Sequence, residues 1–247
     1  VYKLTRRFWY LVDIKSQHNI DPKELAKFEA SSAHWWDLQG ELKALHDINP
    51  LRVGYVQARA PLSGKQVLDV ACGGGLLSEA MALSGAVVTG IDAGEGSLAV
   101  ARNHAEESGL TIDYRRSTVE EFADANHCRF DIVTCMELLE HVPDPASIVS
   151  ACSKLVKDGG DVFFATLNRN PKSFLFAIIG AEYLLNLVRR GTHTYRQFIK
   201  PSELQSWGKR AGLTCADVTG LHYNPFLKRY CLGGNFHVNY LMHFNKF

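Results

Sequence analysis

From Lys65 onward the chain alternates short apolar runs with amphipathic ones, and this rhythm restricts the fold more than any other feature. The apolar runs, residues 67–71, 87–91, 112–115, 130–136 and 162–167, have strand length. Between them lie helix-like segments at 76–83, 98–107 and 146–156, and in the last Ile148, Val149, Cys152, Leu155 and Val156 recur at helical spacing. Gly85, Gly109 and Gly159 stand where helices should stop, since glycine adopts the left-handed terminal conformation at little cost. Several runs are apolar on both faces, the habit of parallel strands covered by helices. Repeated alternation of this kind predicts a doubly wound α/β domain with a mostly parallel sheet.

The two ends read differently. Asp21-Pro22-Lys23-Glu24 is a helix start, with an acidic N-cap, proline at the first helical position and glutamate at the third. A looser helical stretch covers 40–60, so residues 19–64 form a helical cap ahead of a core at 65–167. After a helix at 201–211, two runs at 213–223 and 236–244 follow without an intervening helix. They predict an antiparallel pair that brings the sheet to seven strands, all within one domain over 19–247. The chain does not begin with methionine, which points to a truncated or processed product, and residues 1–18 carry no assigned function.

Composition removes several classes. A formal net charge of +1 in 247 residues supplies no global field for nucleic acid. The six cysteines form no CxxC pair, which suits free thiols in a reducing compartment. No run of about 18 apolar residues is present, so no membrane-spanning helix is expected. The expected location is therefore cytoplasmic.

The run Val67–Val70 ends in Ala71-Cys72-Gly73-Gly74-Gly75, at the place where such sheets bind ligands. A phosphate loop would need Lys-Ser/Thr after its last glycine, and Leu76-Leu77-Ser78 follow instead. A dinucleotide fingerprint needs a third glycine three beyond Gly75; Ser78 stands there, a small residue that is tolerable, so this reading survives weakly. A nucleoside ligand without phosphate is the third reading. Asp69 favours it, because a carboxylate repels phosphate but suits an ammonium or an oriented water. Asp92, ending the second strand, can accept hydrogen bonds from both ribose hydroxyls. Cys72 reads as a small residue filling a tight turn rather than as a nucleophile.

Asp69-x-Ala71-x-Gly73-x-Gly75 followed by Asp92 resembles the first two motifs of class I S-adenosylmethionine-dependent methyltransferases. That family usually has glycine where Ala71 stands, and at a positive φ the alanine methyl costs roughly 1 kcal/mol. From about Asn19 to the C-terminus the chain resembles the ubiquinone biosynthesis O-methyltransferases. The matching segments are Phe28-Glu29 with Trp35-Trp36-Asp37, Leu45-His46-x-Ile48-Asn49-Pro50-Leu51-Arg52, residues 135–145 (CMELLEHVPDP), Thr166-Leu167-Asn168-Arg169-Asn170 and Gly220-Leu221-His222-Tyr223-Asn224-Pro225. The resemblance implies cofactor contacts at Arg52, Ala71, Asp92 and Met136, with Arg52 on the carboxylate of the methionine portion. Asp69 and Gly73 complete the candidate set.

The resemblance also implies a substrate: a catechol-like ring with a polyprenyl tail, such as 2-polyprenyl-6-hydroxyphenol or 3-demethylubiquinol. A phenol is mostly protonated near neutral pH and needs a base or a Lewis acid. On a helical turn Glu137, Glu140 and His141 would share a face, and the resemblance implies that they hold Mg²⁺ or a similar cation. Metal-free catalysis with His141 as general base is the rival, and a purely structural role for all three is the third possibility. The apolar stretch 173–190, flanked by Lys172, Arg189 and Arg190, reads as a lid over the site or as an interfacial helix meeting a membrane. The membrane contact would lie on the inner face of the bacterial membrane, or the matrix side in a mitochondrion. Other expected partners are the lipid-tailed substrate and a ubiquinone-biosynthesis complex. A methyltransferase acting on another small molecule, a nicotinamide-dependent dehydrogenase and a non-catalytic cofactor-binding scaffold are the competing functions.

Overall fold

A computed structural model describes residues 19–170, 197–224 and 229–247. The stretch 173–190, with its lid or membrane role, lies outside them. Among the described residues no helix is long and apolar enough to cross a membrane.

The cap comes first: α1 (Pro22–Ser31), a 3-10 turn (Ser32–His34) and α2 (Lys43–Gln57). The sheet then builds through β1 (Gln66–Val70), α3 (Leu76–Leu83), β2 (Val87–Asp92), α4 (Glu95–Glu107), β3 (Asp113–Arg116), α5 (Val119–Ala125) and β4 (Phe130–Met136). A 3-10 turn (Leu139–His141), α6 (Pro145–Leu155) and β5 (Val156–Leu167) follow, then α7 (Pro201–Arg210), β6 (Leu213–Asn224), β7 (Arg229–Leu232) and β8 (Asn239–Lys246). The strand order is β3-β2-β1-β4-β5-β8-β6-β7. The first five strands are parallel, and β8, β6 and β7 add antiparallel pairings. Among the described residues the sheet therefore has eight strands rather than seven. The extra one, β7, is a four-residue edge strand paired with β6, too short to show an apolar rhythm.

Successive side chains of a strand point to opposite faces, and the core divides accordingly. Leu68, Val133, Cys135 and Phe164 pack beneath α5, α6 and α7 with Ile148, Cys152 and Leu204. Val67, Ile132, Phe163 and Leu241 pack on the other face with Tyr55 and Val56 of α2 and Met81 of α3. Strand order reverses between β1 and β4, so their carboxyl ends open a crevice. The helical cap lies over it.

Candidate active site

The crevice holds a cavity of about 180 Å³ whose wall includes Arg52, Asp69, Ala71, Gly73, Asp92 and Met136. Glu137 and His141 stand in the same wall, and Glu140 does not.

Beyond β1 the backbone turns sharply, with Ala71 at φ +56° and Gly73 at φ +54°. Ala71 thus occupies the left-handed region that glycine tolerates best. A Cβ at Gly73 or Gly74 would collide with the Trp35 ring, which lies flat against this loop. The Trp36 indole N–H donates to the Gly74 carbonyl at 3.0 Å, and its ring stacks on His104 at 3.4 Å. The glycines therefore accommodate the protein's own cap as well as any ligand. Cys72 is buried, and burial pushes its thiol well above the ordinary range, which removes it as a nucleophile.

Asp69 has both carboxylate oxygens engaged. Ser78 Oγ donates to Oδ2 at 2.6 Å and Thr134 Oγ1 to Oδ1 at 2.8 Å, tying β1 to α3 and to β4. Burial raises its pKa to about 6 against the pull of both hydroxyls. Asp92 clasps the loop it faces: Oδ2 accepts from the Gly73 N–H at 2.9 Å and Oδ1 from the Gly94 N–H at 2.8 Å. Burial raises the pKa of Asp92 as well. Behind it, α4 has Gly94 at its N-cap and no capping side chain of its own. Glu29 of α1 supplies one, accepting from the Gly96 and Ser97 N–H groups at 3.1 and 3.3 Å.

At the end of β4 the expectation of a shared helical face fails. Glu137 sits at φ +62°, before the 3-10 turn, so it is not on a helix with Glu140 and His141. Each group finds a different partner. Glu137 Oε1 pairs with Arg52 Nη2 at 2.6 Å. Glu140 turns away from the cavity, where its Oε2 accepts from Thr166 Oγ1 at 2.7 Å, and burial with the nearby Glu137 charge raises its pKa to about 7. His141 Nδ1 meets Glu24 Oε2 at 2.8 Å, with the Phe28 ring edge-on at 5.1 Å. Among the described residues no three carboxylate, thiol or imidazole groups converge as cation ligands. The donor types suit a hard cation, but the arrangement does not.

Burial alone would lower the His141 pKa, yet the Glu24 hydrogen bond and the charges of Glu140, Glu24 and Glu137 outweigh it and the pKa is raised. The hydrogen bond from His141 in turn lowers Glu24 to about 2. A carboxylate on Nδ1 fixes the tautomer that leaves Nε2 basic. Sequence reasoning read Glu24 only as a helix-start residue. Its partnership with His141 spans 117 positions and has no local signal. Asn49 and Trp35, also in the cavity wall, were visible only within matching segments. Each carries a buried polar atom without a partner, Asn49 Oδ1 and Trp35 Nε1, as does Arg52 at Nε. Unpaired polar atoms at the crevice, beside a half-buried acid ending β2, fit a polar nucleoside ligand.

This architecture and its site define a methyltransferase domain of the S-adenosylmethionine-dependent class. The family model described as a methyltransferase domain matches residues 46–218. In fold, the chain is similar to magnesium protoporphyrin IX methyltransferase from Synechocystis PCC 6803 with bound SAH, with a TM-score of 0.68 at 17% identity, covering 92% of this chain and all of that one. Ubiquinone biosynthesis O-methyltransferase of Pseudomonas syringae pv. tomato is 58% identical over 91% of this chain and 97% of its own length. The namesake from Azotobacter vinelandii is 59% identical over the same shares. The chain belongs to the ubiquinone biosynthesis O-methyltransferase family and is an S-adenosylmethionine-dependent O-methyltransferase.

Proposed function

We propose that the enzyme methylates a phenolic hydroxyl of polyprenylated catechol-type intermediates of ubiquinone biosynthesis, 2-polyprenyl-6-hydroxyphenol and 3-demethylubiquinol. The names of its relatives support this substrate class. The observation that carries the chemistry is the Glu24–His141 pair in the wall of the cavity that also contains Ala71 and Asp92. S-Adenosylmethionine, when bound, supplies a methyl group already activated by the sulfonium.

Asp92 presents its carboxylate to the ribose, and Arg52 meets the methionine carboxylate. His141 Nε2 removes the phenol proton as the oxygen takes the methyl group, and Glu24 holds the ring and stabilises the imidazolium that forms. Positioning contributes much of the rate, on the order of 7–11 kcal/mol in favourable cases. Incubation with labelled S-adenosylmethionine and a short-tailed catechol, followed by mass spectrometry, tests the assignment. Label on a ring oxygen supports it, and no incorporation refutes it.

Cation assistance is a second reading, favoured by Glu140 Oε1, a buried carboxylate oxygen without a partner. It requires Glu137 to leave Arg52 and His141 to leave Glu24, so none of the steps above runs through it. Full activity after chelation removes it. The tail of the substrate also motivates peripheral contact with a membrane through 173–190 on the cytoplasmic or matrix side, and association with other ubiquinone-biosynthesis enzymes. Co-sedimentation with anionic vesicles, comparing wild type with Phe174→Glu/Leu175→Glu, tests the membrane contact, and equal sedimentation of the two refutes it.

A further inference from the structure

The unpartnered atoms in the cavity wall have a definite chemistry. Asn49, 7% exposed on α2, donates its amide nitrogen to the Leu76 carbonyl at 2.9 Å, which leaves Oδ1 as the free half of the amide. Oδ1 has no partner. One turn on, Arg52 gives Nη2 to Glu137 and keeps Nε unpaired. Trp35, 7% exposed, has its ring against Gly73 and Gly74 and an unpaired indole N–H.

A buried polar atom without a partner is costly, and three in the wall of one cavity call for a ligand rather than chance. The set comprises two N–H donors and one carbonyl acceptor. That is the complement of a zwitterionic amino-acid end: a carboxylate for the donors and an ammonium for the acceptor. Ribose, by contrast, has a carboxylate waiting for it at Asp92 on the neighbouring strand.

We propose that Asn49 and Trp35 read the amino-acid end of the cofactor, Asn49 Oδ1 accepting from the ammonium and the Trp35 indole joining Arg52 on the carboxylate. This rests on S-adenosylmethionine occupying the cavity. It makes the cap, rather than the β1 loop alone, the element that separates the intact cofactor from a bare nucleoside. Neither residue is needed for the adenosine half.

The test is calorimetric titration of the full chain with three compounds. These are S-adenosylhomocysteine, its decarboxylated analogue and 5′-methylthioadenosine, which keeps the nucleoside and lacks the amino acid. Hydrogen bonds to charged groups predict that Trp35→Phe and Asn49→Ala each weaken S-adenosylhomocysteine about tenfold or more. Methylthioadenosine should bind both variants as it binds wild type, which also shows that the site is still folded. The decarboxylated analogue should be weakened by Asn49→Ala and not by Trp35→Phe. Parallel losses of S-adenosylhomocysteine and methylthioadenosine assign the residues a packing role and overturn the proposal, as does an unchanged S-adenosylhomocysteine affinity in either variant. Wild type that ignores S-adenosylhomocysteine altogether sinks the cofactor assignment beneath it, a result distinct from the other two.

Discussion

Ala71 stands at φ +56°, in the region glycine tolerates best, so Ala71→Gly is an informative substitution. In the left-handed region an L side chain crowds the following carbonyl at a cost of about 1–2 kcal/mol. Glycine removes that strain but enlarges the freedom of the unfolded chain, which costs about 0.4–1 kcal/mol. The difference favours glycine by roughly 0.5–1 kcal/mol in most combinations of these values. For a domain of this size such a gain is a rise in Tm of about 1–4 °C. Gly73→Ala supplies the opposite sign in the same loop: at φ +54° it incurs the strain and drives a methyl into the Trp35 ring. We expect it to cost upward of about 2 kcal/mol. Urea unfolding and thermal melts of both variants, with matched m-values, measure the two effects. A clear loss of stability in Ala71→Gly would show that the loop relaxes around alanine and that the strain argument is wrong.

Other outcomes follow from the same geometry. Glu24→Gln removes a charge that raises the His141 pKa, so the acidic limb of the kcat profile should move to lower pH and kcat should fall about tenfold or more; an unmoved limb would separate the two residues. The Glu24–His141 pair should stabilise the fold most between about pH 4.5 and 6.5, the ordinary values of the two groups. Its contribution is lost upward as pH passes the raised imidazole pKa, and downward as pH falls toward the carboxylate value of about 2. Comparison of wild type with His141→Gln across pH checks this, and parallel curves would refute it. Asp69 has the reverse sign: burial raises its pKa from 3.8 to about 6, so stability falls as pH rises between those values and the full penalty persists above them. Asp69→Asn should therefore be far milder in denaturant melts than Asp69→Ala, which strands the Ser78 and Thr134 hydroxyls.

The parallel core was readable because buried strands carry apolar residues on both faces, and β4 runs over the residues expected of it. Less was readable where a strand begins in polar sequence. β5 starts at Val156 and passes through Lys157-Asp158-Gly159-Gly160 before its apolar half, with a register shift against β4. Gly159, read as a helix stop, lies inside that strand. The short α5 went unread because its apolar content is small, although Thr118 and Glu121 form a capping box that announces it. At the site, all the expected residues except Glu140 share one cavity wall, but the directions of their side chains were not legible. The spacing of Glu137, Glu140 and His141 suggested one face, but the left-handed bend at Glu137 sends the three to separate partners. Pairings such as Glu24 with His141 depend on where α1 comes to rest, which no local pattern records.

That resting place matters beyond either contact. Five residues apart, Glu24 grips the imidazole beside β4 while Glu29 crowns the helix behind Asp92. A single short brace thus reaches both sides of the crevice, and under the proposed mechanism whatever pries it loose disturbs proton removal and sugar recognition together.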